Sequence, residues 1–401
     1  MNILNRYNIA LGFLFLFHFV VFIYLIDNLS ISHKEAMIYF DSNTLLHFIC
    51  KISIYFFGNN DFALRFPFIV FYFSSSLLLY LLTDDYFKHK IDRLMCIAIF
   101  MMLPGVNSAA LLINSSMLVI FLTLLYLYLY KIHGKENYIL LTIYLFIDNS
   151  FAILFLALFL VSLKKKDNFL LVYSLFLFGL SMSLHGFDIS GRPRGYFMDT
   201  FGVYASIFSP ILFLYFFYAI YRVGIKDTNK DMYWYISATA LGLSFLFSLR
   251  QKVAVEEFAP YVVISIPIMV KLFMHSIRVR LQQFRKLYYA IAIVTLLGLG
   301  INFLVFVFHK FLYVFLENPR QHFAYKYHIA KDVLNFLKSR GITEVQIDDK
   351  ILAKRLKFYG IRDIQSDFRL SKFKIDQKYE LIDIVYFGKS IGKYYLFENK
   401  K

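Results

Sequence analysis

Long apolar runs separated by short charged turns dominate residues 9–308. They are Ile9 to Ile26, Ala63 to Leu82, Leu94 to Ala110, Leu111 to Tyr130, Phe169 to Leu184, Phe201 to Tyr221, Tyr233 to Leu249, Tyr261 to Phe273 and Leu287 to Phe308. Most approach the roughly 20 residues of helix that a hydrocarbon core of about 30 Å requires, so they predict membrane spans. The first is too long and too late for a signal-peptide core and has no small-residue cleavage site, so it reads as a retained span. Two stretches break the pattern. Tyr138 to Leu163 is interrupted by Asp148 and Asn149, and Thr44 to Phe57 is short, with His47 and Lys51 inside it, as expected of a helix lying in the interface. After His309 the periodicity predicts a helix over Ala330 to Arg340 ending at Gly341, a strand over Ile342 to Ile347 and a helix over Ile351 to Tyr359 ending at Gly360. Two further strands are predicted at Glu380 to Tyr386 and Lys393 to Phe397. The expected fold is an all-α polytopic membrane bundle of about eleven segments over residues 1–308, with an outer loop and interfacial helix at 28–62. A small α/β domain over 309–401 follows it.

Lysine and arginine positions orient the spans. With the N-terminus in the cytoplasm, Asp84 to Arg93, Lys131 to Lys135, Lys164 to Lys166, Arg222 to Lys230 and Arg278 to Lys286 share the cytoplasmic side. They hold about 15 basic residues against about 7 opposite. Lys131 to Lys135 and Lys164 to Lys166 can share a side only if the chain between them goes in and returns, which places Asp148-Asn149 at the apex of a hairpin. The same count puts the C-terminal domain on the outer face. A composition of 59% hydrophobic, 20% aromatic and 17% charged residues excludes a soluble or disordered chain. The net charge of +16 would suggest nucleic acid, but about 19 Lys and Arg against about 11 Asp and Glu belong to residues 309–401 and most of the rest orients the spans, so no nucleic-acid partner is expected. Cys50 and Cys96 offer neither a disulfide framework nor metal-ligand spacing. No cofactor or tightly bound metal is expected, and a loosely held divalent cation at carboxylates stays open. The absence of internal repeats gives no support to an inverted-repeat transporter.

Polar groups collect in the outer loops. In His185 to Gly195, Arg192 and Arg194 flank Pro193 between glycines, a rigid turn presenting planar donors suited to phosphate oxygens or an anionic lipid. Headgroup contact, or pairing with Asp188 or Asp199, is the plainer alternative. Arg250 and Lys252 form a second cationic pair near Glu256 and Glu257.

One order of features carries a resemblance. Ser32-His33-Lys34-Glu35 leads through Asp41 into the interfacial helix, and then comes Phe57-Gly58-Asn59-Asn60-Asp61-Phe62-Ala63-Leu64-Arg65-Phe66-Pro67. This is similar to the GT-C membrane glycosyltransferases of family 39, in particular the aminoarabinose-transferase and protein-mannosyltransferase group. That group has an acid-rich loop after span one and a phrase with Phe-Gly and then Arg-x-Pro opening span two. Pro104 to Lys131 resembles its tight connection between spans three and four, and Arg250 to Met269, with Pro260 and Pro267, resembles its late basic loop. The resemblance implies transfer of a sugar from a polyprenyl phosphate to a lipid glycan, polysaccharide or protein at the periplasmic face of a bacterial inner membrane. It implies Glu35 as the base, with Asp41 second, and Arg192, Arg194, Arg250 and Lys252 on the donor phosphate; Arg65 would anchor the interfacial helix. Three positions depart from the pattern. Lys34 stands where the family has the first acid of an Asp-Glu pair, Asp148 stands where it commonly has a lysine, and no acid lies near Asn114-Ser115-Ser116. The opposite signs of the first two suggest a swapped Lys34–Asp148 pair across one cavity. A transporter or flippase for a lipid-linked glycan competes with this reading, although intramembrane charge is scarce. A non-catalytic scaffold is the third option.

Overall fold

The computed structural model describes residues 3–187, 189–190, 192–228, 230–374 and 379–398. They fall into two compact units. The first comprises Met1–His18, Phe68–Ala110 and Asn114–Phe303, and the second Phe19–Pro67, Leu111–Ile113 and Leu304–Lys401. The second therefore groups the first outer loop with the C-terminal segment, a different grouping from a boundary at 308/309.

Four helices are long and apolar enough to cross a membrane: Arg6–Asn28, Asp61–Leu82, Ser116–His133 and Gln282–Val307. Three more spans arise if each of three bent pairs counts as one, giving up to seven against the expected eleven or so. The other four expected segments are helices Tyr138–Ile147, Phe151–Lys165, Asn168–Leu184 and Met232–Ser248, of 10 to 17 residues and so shorter than a full span, and bends account for the step from seven to four. Lys90–Met102 and Pro104–Leu111 meet at 58°, Phe197–Phe208 and Pro210–Lys226 at 106°, and Val255–Val263 and Ile266–Val279 at 42°. Each second helix carries proline, Pro104, Pro210 or Pro267, in its first turn. Proline lacks the N–H that would continue the ladder, and the residues before Pro104 and Pro210, Leu103 and Ser209, leave the helical region, so an unbroken hydrophobic run becomes two helices. Gly105, at the first of these breaks, sits where a Cβ would collide with Ile207.

Inside the first unit the charge parity has a structural counterpart. Helices Tyr138–Ile147 and Phe151–Lys165 flank Asp148-Asn149-Ser150, and the far end of the second returns to the start of the first. Lys165 Nζ lies 2.7 Å from Tyr130 Oη and 3.7 Å from Glu136. The remaining basic segments join that end: Lys131 pairs with Asp85 at 2.8 Å, Lys164 donates to the Thr228 carbonyl at 2.6 Å, and Arg278 pairs with Asp92 at 2.5 Å. All five predicted cytoplasmic segments thus gather at one end of this unit.

The second unit contains helix His33–Asp41, helix Leu45–Phe57 and a four-stranded sheet. The interfacial helix is inverted relative to a soluble one. It buries His47, Cys50 and Ser53 and exposes Phe48, Ile52, Tyr55 and Phe56, as suits an apolar outer medium. Gly58, at φ 79°, ends it by donating its N–H to Ile54, a conformation that glycine adopts without strain. The sheet order is Gln346–Ile347, Phe368–Ser371, Lys389–Glu398, Tyr379–Tyr386, with the first pair parallel and the others antiparallel. Helices Ala330–Ser339 and Lys350–Phe358 cover it, packing Val333, Leu337, Leu352 and Leu356 against Leu370, Ile382, Ile384 and Leu396. The helices and last two strands fall where the pattern places them; Phe368–Ser371 is an additional strand.

Candidate functional site

The cationic residues come together although some 60 positions separate them in the chain. Ile189–Ser190 pairs antiparallel with Lys252–Val253 in the register Ser190↔Lys252. The ribbon extends past the strands, with Arg194 N–H donating to the Arg250 carbonyl at 3.0 Å and Tyr196 N–H to the Ser248 carbonyl at 2.7 Å. Arg192, Arg194, Arg250 and Lys252 are consequently carried on one short ribbon of the first unit, and all four are exposed. The Arg194 guanidinium lies 4.7 Å from the Tyr196 ring centroid, and the Tyr196 hydroxyl donates to the Arg192 carbonyl at 3.2 Å. Among the described residues none of the four cations forms an ion pair; Asp188 and Gly191 lie outside those residues.

The hairpin apex braces this ribbon. Asn149 Nδ2 donates to Glu257 Oε1 at 2.8 Å and to the Gly186 carbonyl at 3.4 Å, tying the apex to the segments on either side. Asp148, half-buried, accepts from the Ser150 N–H at 3.0 Å. Ser116 adds a third link by donating to the Glu256 carbonyl at 3.0 Å. One end of the first unit therefore joins the loops at 114–116, 148–150, 185–196 and 249–257, opposite the end where the basic turns meet. Such a surface can hold a phosphate through several charge-assisted hydrogen bonds.

In the second unit the acids expected to do chemistry have structural partners. Ser32 and Glu35 form a capping box: the Ser32 N–H donates to Glu35 Oε2 at 2.8 Å and the Glu35 N–H to Ser32 Oγ at 3.2 Å. Glu35 Oε1 accepts from the Ile113 N–H at 3.2 Å, and Arg65 Nη2 lies 3.8 Å from Oε2. Glu35 is buried, and both its oxygens are engaged. Asp41 is paired with Lys354. Lys34 belongs to this unit and Asp148 to the first.

Arg65 is wholly buried. It donates from Nε to the Leu111 carbonyl at 2.9 Å, from Nη1 to Asp61 at 3.3 Å and from Nη2 to the Ser30 carbonyl at 3.2 Å. A second arginine, which the sequence did not single out, holds the same segment from the C-terminal side. Arg355 donates to the carbonyls of Ile31 at 2.7 Å and His328 at 2.6 Å, and to Ser30 Oγ at 2.9 Å. Burial pulls its guanidinium below the usual value, while Tyr359 and Tyr394 oppose that shift. Tyr359 donates to Asp61 at 2.7 Å and accepts from the Ile31 N–H at 2.9 Å. No sequence pattern announces this clamp, because basic residues in helix Lys350–Phe358 read as a solvated face until its partners are known.

Also unforeseen are three buried histidines. Tyr313 Oη lies 2.7 Å from His328 Nδ1, His328 Nε2 lies 3.1 Å from His309 Nε2, and His322 Nε2 lies 2.7 Å from the His309 carbonyl. Among the described residues no group of three or more His, Cys, Asp or Glu side chains is arranged to hold a metal ion.

Residues 41–155 match the family model of dolichyl-phosphate-mannose-protein mannosyltransferases. No curated protein matches the chain. The matched stretch runs from Asp41 through the interfacial helix, the Gly58/Arg65/Pro67 phrase and the hairpin apex. It supports the resemblance to GT-C glycosyltransferases, and with the apolar helices it describes a multi-pass membrane protein.

Proposed function

We propose that the protein transfers a sugar from a polyprenyl-phosphate donor to a lipid glycan, polysaccharide or protein acceptor at the periplasmic face of a bacterial inner membrane. The family match points to a membrane glycosyltransferase of the GT-C type that uses a lipid-linked donor. The observation that carries the finer reading is the ribbon pairing of 189–190 with 252–253, which gathers Arg192, Arg194, Arg250 and Lys252 on one exposed surface without a described carboxylate in ion-pair contact. In this reading they bind the donor phosphate and stabilise the charge that develops as it departs. No tightly bound metal or other cofactor enters the reading.

The acceptor hydroxyl must lose a proton to a carboxylate within hydrogen-bond reach. Glu35 is the proposed base by its loop position, with Asp41 second, and Glu35 can act only after the Ser32 or Ile113 amide releases one of its oxygens. The test is incubation of the purified protein with a short-chain polyprenyl-phosphate sugar. Wild type should release the polyprenyl phosphate, and Arg192→Ala combined with Arg250→Ala should lower turnover by about 100-fold, the scale of losing charge-stabilising donors. Glu35→Gln keeps an acceptor for the cap but removes the charge. It should abolish turnover while leaving donor binding in place. Donor binding without turnover by wild type would instead favour a non-catalytic role, a reading that Lys34 and the engaged Glu35 keep in view.

A further inference from the structure

A second feature of the first unit lies toward its basic end. Helices Lys90–Met102, Pro210–Lys226, Ile266–Val279 and Gln282–Val307 line a narrow crevice, open on one side and almost wholly apolar, with Ile99, Tyr215, Phe273, Ala292 and Thr295 among its walls. Seven residues make close to two helical turns, so positions seven apart share a face. Followed toward the basic end, Tyr215 leads to Arg222, Phe273 to Arg280, Thr295 to Tyr288 and Ile99 to Asp92. These groups meet at the mouth. The Arg280 guanidinium lies 3.9 Å from the Tyr288 ring centroid, the Tyr215 ring centroid lies 5.6 Å from that of Phe273 and 6.1 Å from that of Tyr218, and Arg222 reaches the Tyr218 hydroxyl at 3.5 Å. Asp92 is occupied by Arg278 at 2.5 Å. Among the described residues no carboxylate forms an ion pair with Arg222 or Arg280.

We propose that this crevice and its mouth form a site for one anionic phospholipid, with an acyl chain against the apolar walls and the phosphate between Arg222 and Arg280. Two turns of helix rise about 10 Å, which carries the guanidinia from the apolar walls into the headgroup layer, roughly 5–8 Å deep on each side of the hydrocarbon. Arginine pairs phosphate oxygens through two parallel donors, and an apolar crevice continuous with a cationic mouth fits a molecule having both a chain and a charge. A soluble phosphate would use the mouth alone. This site is independent of the transferase reading, since it lies at the end opposite the cationic ribbon.

The experiment is native mass spectrometry of the full chain in detergent, titrated with dioleoyl phosphatidylglycerol or dioleoyl phosphatidylcholine. Phosphatidylglycerol should be retained preferentially, and Arg222→Gln with Arg280→Gln should weaken its retention by about tenfold or more, as expected when two cations near an anionic surface are lost. Ala292→Phe, which fills the crevice without touching the charges, should weaken it as well. Arg280 is exposed and Arg222 half-buried, and among the described residues neither holds an ion pair, so the double variant should unfold at the wild-type temperature when no lipid is added. Equal retention of the two lipids, retention unaffected by the double variant or by Ala292→Phe, or displacement of phosphatidylglycerol by glycerol phosphate would each overturn the proposal.

Discussion

Arg65 shows how one side chain sets the geometry of a loop. Its guanidinium is buried against two carboxylates, Glu35 at 3.8 Å and Asp61 at 3.3 Å, and two carbonyls, those of Leu111 and Ser30. Removing one member of a buried charged network strands the others without compensation, at a cost of about 3–5 kcal/mol. Arg65→Leu should therefore strongly lower the unfolding temperature. Arg65→Lys should rescue only part of the loss, because a single ammonium cannot span the directions that the planar fork reaches. A lysine variant as stable as wild type would show that charge alone suffices and that the fork geometry is unimportant. The phrase Phe57 to Pro67 marked Arg65 as an anchor of the interfacial helix, whereas the contacts it makes run to Ser30, Glu35, Asp61 and Leu111 and hold the loop before helix His33–Asp41. The acids that the resemblance placed nearby were harder to interpret from sequence, since Ser32-x-x-Glu35 is at once a capping box and a loop carboxylate.

At the scale of elements, the histidine cluster gives a pH dependence with a definite sign. The Ala324 N–H donates to His322 Nδ1 at 3.0 Å, so His322 donates from Nε2 to the His309 carbonyl. His309 donates from Nδ1 to the Phe306 carbonyl at 3.2 Å, so its Nε2 accepts from His328, whose Nδ1 accepts from Tyr313. This assignment satisfies every contact with three neutral rings, and one further proton would set donor against donor. Burial lowers all three: His309 to about 4, His328 to about 2 with His309 and His322 adding to the effect, and His322 below its usual value. Folded values below the unfolded 6.5 mean that the unfolded chain binds more protons in acid. The stabilisation is complete above about pH 7 and is lost as pH falls through 6.5 toward 4, at about 1.4 kcal/mol per pH unit for each of His309 and His328, with His322 adding in the same direction. Thermal unfolding between pH 7.5 and 4.5 should show this slope, and His309→Asn should flatten it. An equal slope in that variant would remove the cluster as the cause.

The same scale shows what was legible in the chain. Helix Leu45–Phe57, the last two strands and the hairpin at Asp148-Asn149 follow from local periodicity and charge, and so they were readable. Apolar runs ignore backbone donors, so the breaks before Pro104, Pro210 and Pro267 turned expected spans into bent pairs. The pairing of 189–190 with 252–253 and the Arg355 clamp depend on partners far apart in the chain, which no window of sequence contains.

For the whole molecule the strongest constraint is which segments share a side of the membrane. The five basic segments are linked at one end of the first unit by Lys131–Asp85, Lys165–Glu136, Lys164–Thr228 and Arg278–Asp92, while the cationic ribbon stands at the other with the hairpin apex. The topology expected from the positive-inside bias, with the basic end in the cytoplasm, would put Arg192, Arg194, Arg250 and Lys252 on the outer face, where that bias gives them no topological purpose. Single-cysteine labelling tests this directly, because Cys50 and Cys96 are fully buried and contribute little background. With a membrane-impermeant maleimide added to intact spheroplasts, Arg194→Cys should label and Lys135→Cys should not; permeabilisation should expose Lys135→Cys without changing Arg194→Cys. Labelling of both in intact cells would break the link between the basic end and the cytoplasm, and the proposed phosphate site would then lack the outer position that its lipid-linked donor requires.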